Sequence, residues 1–307
     1  MELLQLVRWP NLLIVALTQM LIFFRVLNPS FSQLNIKNAL SQDYFFLLVA
    51  ITLLLTAGGY IINDVYDKNI DKIDKPPHKV IIGSTIDLET AYWLYFVVHL
   101  IGFILALYLA FQVEKPGYVG LFPLASTGLY LYSRWLKRRP LIGNLLIALY
   151  CAGVAGIVWF AERVAFSQLA SAPVLYQKVK GILIMYLLFA FLTTLFREIV
   201  KDMEDIKGDQ LANFRTAPIA WGTKTTRNIT FFVGILIIAL LFVAGWYFWQ
   251  QIHIPLSGTI LIFLTLPAFI LLWKLWKAKE KKDFHDLSQW SKFLMLGGIL
   301  ILLLIEI

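Results

Sequence analysis

The reading turns on residues 44–79, YFFLLVAITLLLTAGGYII followed at once by NDVYDKNIDKIDKPPHK. The first part is long and apolar enough to lie in hydrocarbon. The second places Asp64, Asp67, Asp71 and Asp74 where that run ends. Carboxylates beside a membrane core are costly to hold, so they point to function by default. Working outward, apolar runs of similar length recur along the whole chain. Of its 307 residues, 59% are hydrophobic and 15% charged, against about 25% charged in a soluble domain. The mean hydropathy is +0.73. The fold class expected is all-α: a polytopic membrane protein forming one transmembrane domain over residues 1–307. The alternating pattern of a membrane barrel is absent. The one cysteine, Cys151, lies in an apolar run and reads as a small core residue, which excludes an internal disulfide or a cysteine metal cluster.

Nine spans are expected, near 9–27, 44–63, 91–112, 118–135, 141–160, 180–200, 229–250, 254–274 and 291–306. The first is long enough to span and lacks a small-residue cleavage site, so it is not read as a signal peptide. With this layout, 21 of the 27 lysines and arginines fall at the N-terminus and in the loops after the even-numbered spans. That bias places those segments in the cytoplasm of a plasma or inner membrane. It also accounts for the net charge of +8 without nucleic acid. No feature calls for an obligate protein partner.

The aspartate pattern has a second copy. Asp202, Asp205 and Asp209 in KDMEDIKGD repeat the spacing of Asp64, Asp67 and Asp71, displaced by 138 residues. The displacement covers four spans, so both triplets emerge on one side. Residues at i, i+3 and i+7 share a helical face. The arrangement reads as a weak repeat of four-helix units carrying two carboxylate faces that can oppose each other across a cavity.

Carboxylates gathered with no His or Cys ligands suit a hard cation, Mg2+ or Ca2+, in preference to zinc. Mg2+ keeps waters and is commonly shared with substrate phosphates, so two clusters can grip a diphosphate through two or more ions. Lys68, Lys72, Lys75, Lys79, Arg197, Lys201 and Lys207 are interleaved with the acids, and Lys137 and Arg138 lie in the loop YSRWLKRRP. Such bases would hinder a cation pathway but neutralise diphosphate oxygens. Lys137 and Arg138 read equally well as topology signals, and the lysines of the first motif as surface salt bridges. A diphosphate leaving group at the head of an apolar cavity implies an isoprenoid donor, whose allylic cation an aromatic wall can stabilise.

NDVYDKNID resembles the NDxxDxxxD signature of the UbiA superfamily of intramembrane prenyltransferases, and KDMEDIKGD is similar to that family's second aspartate motif. RWPN at 8–11, YSRWLKR at 132–138 with Gly143-Asn144, and TAPIAWG at 216–222 agree with it. REIVKDMEDIKGD looks most like the digeranylgeranylglyceryl phosphate synthase branch, which prenylates a hydroxyl of a prenylglyceryl phosphate. The resemblance implies catalytic or metal roles for Asp64, Asp67, Asp71, Asp205 and Asp209, with Asp202 as a further metal ligand. It implies a metal or diphosphate contact at Asn63 and diphosphate binding by Arg197 and Lys201. Where the family often has an arginine after the first motif, this chain has Lys79, preceded by His78, which reads as a solvated loop residue. The expectation is a Mg2+-dependent prenyltransferase acting on a polyprenyl diphosphate and a lipid acceptor, with Lys137, Arg138 and Lys79 as candidates for an acceptor phosphate. An aromatic acceptor, as in quinone or haem O assembly, is the alternative. A divalent-cation transporter fits less well, because no carboxylate lies deep in a span. A non-catalytic scaffold leaves the repeated aspartates unexplained.

Overall fold

The computed structural model describes residues 2–74, 80–251 and 258–305, with no side-chain placement for residues 71–74. Among the described residues there is no β-strand, only an isolated bridge between Ile82 and Ile86. Eight helices among these residues are long and apolar enough to cross a membrane: α1 (Trp9–Ser32), α2 (Gln42–Asp74), α3 (Leu88–Gln112), α5 (Ile142–Ala161), α6 (Pro173–Glu204), α9 (Thr223–Gln251), α10 (Gly258–Lys277) and α11 (Lys281–Ile301). Shorter helices intervene at α4 (Leu121–Arg134), α7 (Ile206–Leu211) and α8 (Ala217–Trp221). The protein is an integral membrane protein.

The difference from nine expected spans falls on 118–135. That stretch forms a 3-10 turn at Pro116–Gly120 and then the 14-residue α4. Pro116 and Gly117 at its start favour the tight turn over an α-helical one. The last expected span, 291–306, is the apolar half of a helix that begins ten residues earlier. Glu280 and Asp283 form a reciprocal capping box there, which supplies acceptors for the first free N–H groups.

The chain clusters into two compact units. One comprises residues 1–17, 40–138 and 211–213. Its centre is α2, packed against α3 and α4. Leu6, Ile61, Ile62, Val65, Ile82, Ile86 and Ala91 form a buried cluster beneath the end of α2 that carries the first aspartates. The other comprises residues 18–39, 139–210 and 214–307. It is built on α6, which packs against α5, α9 and α11. Ile182, Tyr186, Phe189, Phe196, Val200 and Met203 are buried along α6 at near-helical spacing.

Lipid tails are as apolar as leucine, so burial alone does not hold membrane helices together; close approach does. Gly298 on α11 shows this: a Cβ there would stand 2.0 Å from the ring of Phe189 on α6. The outward apolar side chains of α3, such as Trp93, Phe96, Ile104 and Phe111, are exposed, as a lipid-facing helix requires. Gly298→Ala is therefore expected to destabilise the detergent-solubilised protein by about 1–3 kcal/mol, the usual cost of overpacking. A thermal midpoint equal to that of the wild type would contradict a close α6–α11 contact.

Candidate active site

The first carboxylate set belongs to the unit centred on α2. Because α2 runs unbroken through residues 63–74, Asp64 and Asp67 share its face. Asp64 is 8% exposed and accepts a 2.7 Å hydrogen bond from the Arg8 guanidinium. Arg8 also lies over the Tyr60 ring, 4.7 Å from its centroid. Both oxygens of Asp67 are engaged, one by the Lys137 ammonium and the other by Asn63 Nδ2 at 2.8 Å. Lys137 Nζ donates in addition to Asn63 Oδ1 at 3.1 Å. Burial pushes the Lys137 ammonium below its ordinary pKa, and Asp67 beside it opposes the drop. The Lys68 stem runs past Gly83, whose positive φ of 86° leaves room that a Cβ would fill. Lys75 and Lys79 lie outside the described residues, as do the side chains of Asp71 and Lys72.

The second set belongs to the unit centred on α6. Asp202, in the last turn of α6, accepts a 3.0 Å bond from Asn144 Nδ2 at the start of α5. Asp205 caps α6 with φ −96° and ψ 10°, so the helical ladder bends there and does not run on as straight as the first motif. Its carbonyl still receives the Asp209 N–H at 3.0 Å. Asp209, on α7, accepts a 3.0 Å bond from the Thr216 hydroxyl. Arg197 pairs with its neighbour Glu198. Lys201 makes no ion pair to any described carboxylate and lies close enough to act electrostatically on Asp202.

Three of these partners depend on the backbone. Arg8, Leu141 and Asn213 have φ of 52°, 60° and 56°, the left-handed region that non-glycine residues seldom enter. Arg8 sits at the break before α1, Leu141 opens α5 three residues before Asn144, and Asn213 ends α7 before Thr216. Backbone strain of this kind gathers at functional sites. Sequence reasoning marked RWPN, Gly143-Asn144 and TAPIAWG as flanking elements without giving Arg8, Asn144 or Thr216 a role. The signal was their agreement with the family that the motifs resemble; the contacts themselves need the fold.

Among the described residues no three His, Cys, Asp or Glu side chains converge into a ready-made metal cage. The donor set nevertheless fits Mg2+, which is commonly held by one or two carboxylates with waters and substrate phosphates completing the shell. Asp64 and Asp67 in one unit, and Asp202 and Asp209 in the other, carry oxygens of that kind.

Fold and site together define a polytopic membrane protein whose helix ends carry two carboxylate sets, one held by Arg8, Lys137 and Asn63 and the other by Asn144 and Thr216. Residues 33–296 match the UbiA prenyltransferase family. The chain belongs to that family. It is 30% identical over 271 residues to a digeranylgeranylglyceryl phosphate synthase of Hyperthermus butylicus, covering 86% of this chain and 83% of the relative. It is 32% identical over 249 residues to a protein of the same name from Saccharolobus solfataricus, covering 80% and 78%. In fold it resembles a solved structure concerned with digeranylgeranylglyceryl phosphate synthase in membranes, with TM-score 0.66, 22% identity and coverage of 99% and 98%. It also resembles a UbiA homologue from Archaeoglobus fulgidus bound to GPP and Mg2+, with TM-score 0.59, 14% identity and coverage of 98% and 99%.

Arg8→Gln is expected to leave the buried Asp64 carboxylate poorly compensated and to cost about 1–3 kcal/mol of stability in metal-free detergent solution. An unchanged thermal midpoint would show that Asp64 does not depend on the guanidinium.

Proposed function

We propose that the protein transfers a prenyl group, geranylgeranyl by preference, from its diphosphate to the hydroxyl of a prenylglyceryl phosphate, in a Mg2+-dependent reaction at the membrane surface. The observation that carries this reading is the pair of carboxylate sets at helix ends, on a chain that aligns with digeranylgeranylglyceryl phosphate synthases over most of their length. On this reading the two units act as one catalytic domain, and the N-terminus and both motifs are cytoplasmic.

When bound, Mg2+ supplies a Lewis acid that draws charge from the diphosphate oxygens. Two or more ions are expected: Asp64 and Asp67 of the first motif, with Asp71 completing that triplet, would hold one, and Asp202, Asp205 and Asp209 of the second another. Arg8, Lys137 and Asn63 keep the first pair of carboxylates oriented and limit their mutual repulsion before substrate binds. Asn144 and Thr216 do the same for Asp202 and Asp209. Lys68, Lys79 and Arg138 are assigned to oxygens of the substrates, and Arg197 and Lys201 to the diphosphate. In the reaction the allylic C–O bond breaks and its electron pair leaves with the diphosphate. The acceptor hydroxyl oxygen then bonds to the same carbon and gives up its proton to the released diphosphate. The pairing of Lys137 with Asp67 supports a role for that lysine beside the diphosphate in preference to the acceptor phosphate.

Chelation with EDTA is expected to abolish transfer, Mg2+ or Mn2+ to restore it, and Zn2+ to restore little, as measured by product formation. Full activity in excess chelator would defeat the metal reading. Asp67→Ala and Asp205→Ala should each lower turnover by roughly 100-fold or more, the scale of losing a major electrostatic stabiliser. The double variant should lose far less than the product of the two, because groups that act as a unit are non-additive. Multiplicative losses would mean two independent sites.

A further inference from the structure

A phosphorylated acceptor brings a charge of about −1.5 to −2, and Arg8 and Lys137 are already committed to Asp64 and Asp67. Within the unit centred on α6, the seam between α6 and α11 offers an alternative that the motifs do not reveal. Two contacts fix the register of these helices. His285 Nδ1 meets Glu204 Oε1 at 2.7 Å, and Gly298 meets Phe189. As numbering rises along α11 it falls along α6, so the helices are antiparallel. Lys292 stands seven residues, about 10 Å, along α11 from His285, and Arg197 lies the same seven residues back along α6 from Glu204. The register thus brings Lys292 to the level of Arg197.

The charges around this point are sorted. Glu204 is engaged by His285, and Glu198 by Arg197. Lys292 Nζ is steadied by Gln289 Oε1 at 3.0 Å, and Gln289 in turn stands 3.5 Å from His285 Nε2. Among the described residues Lys201 and Lys292 have no carboxylate partner. Arg197, Lys201, Glu198 and Glu204 all lie within electrostatic range of Lys292. Lys292 is also the last charged residue of the polar half of α11, after which FLMLGGILILLLI follows. It therefore marks the boundary between headgroup and hydrocarbon, where a lipid phosphate would lie with its chains in the bilayer.

We propose that Lys292, at the α6–α11 seam, forms with Lys201 a subsite for a phosphate monoester on a lipid, that this subsite takes the phosphate of the acceptor, and that Lys201 bridges it to the diphosphate. The assignment to the acceptor rests on the proposed transfer reaction; the phosphate subsite itself does not. The Glu204–His285–Gln289 chain positions Lys292, and Arg197 with Glu198 closes the deeper side.

The test uses the full chain in detergent micelles, with radiolabelled dodecyl phosphate as the monoester probe. The competitors are inorganic phosphate and phosphatidylglycerol, a diester. Lys292→Gln is expected to weaken dodecyl phosphate binding by about 10-fold or more, the scale of one charge-assisted hydrogen bond. Lys292→Arg is expected to retain most of it. Inorganic phosphate should compete weakly and phosphatidylglycerol hardly at all. In turnover, Lys292→Gln should raise the KM for the glyceryl phosphate acceptor and leave that for the prenyl diphosphate unchanged. Equal binding by the wild type and Lys292→Gln would overturn the subsite. Equal competition by phosphatidylglycerol would make it a general lipid contact, and a raised donor KM alone would assign it to the diphosphate; either result overturns the proposal. Absence of product from every glyceryl phosphate would sink the transfer reading, and with it the acceptor assignment, while the binding experiment still decides the subsite.

Discussion

A carboxylate at the end of a membrane helix must be held by a positive charge or by hydrogen-bond donors. In this protein the contact on which the first half of the site depends is Lys137 with Asp67. The lysine side chain is 10% exposed and the aspartate 20%, so neither charge is well solvated and each requires the other. Lys137 reaches Asp67 because α4 packs on α2 and a 3-10 turn directly after α4 carries the loop under the end of α2. Asn63, one turn before Asp67, completes the arrangement by accepting from the same ammonium and donating to the same carboxylate. The second half solves the same problem with neutral donors, Asn144 and Thr216.

The sequence made the fold legible wherever apolar run length decides it, since one helix turn advances 5.4 Å and a bilayer core demands about 20 residues. Residues 118–135 were harder because Pro116, Gly117 and Gly120 divert the first turn. The start of α11 was missed because most of its first dozen residues are polar. The capping residues Glu280 and Asp283 were the available signal, and hydropathy does not weigh them. The aspartate triplets were legible because their spacing repeats. Their holders were not, because Arg8, Asn144 and Thr216 reach them through left-handed turns or tertiary packing at separations of 56 residues for Arg8–Asp64 and 58 for Asn144–Asp202. Lys292 was legible only as a member of the positive-inside count. Its position beside α6 follows from helix register, which no local pattern encodes.

Membrane packing and chemistry are linked along α6. The helix that supplies Asp202 and Asp205 is also the one on which its unit is built, with Phe189, Phe196 and Val200 buried on the same stretch that leads to the motif. The site residues thus project from a rigid element, which favours preorganised electrostatics over loop adaptation. The bend at Asp205 then allows the carboxylates of the second motif to come from two helices, the long α6 and the short α7, held together by the Asp205 carbonyl and Thr216.

The central claim is the transfer of a prenyl group to a glyceryl phosphate. Its most direct test is incubation of the purified full-length protein with labelled geranylgeranyl diphosphate, Mg2+ and a mixture of acceptors. The mixture would contain a geranylgeranylglyceryl phosphate, 1,4-dihydroxy-2-naphthoate and 4-hydroxybenzoate, with the lipids resolved by mass spectrometry. The account predicts label in an ether of the glyceryl phosphate and little elsewhere. Label carried chiefly by an aromatic product would contradict it.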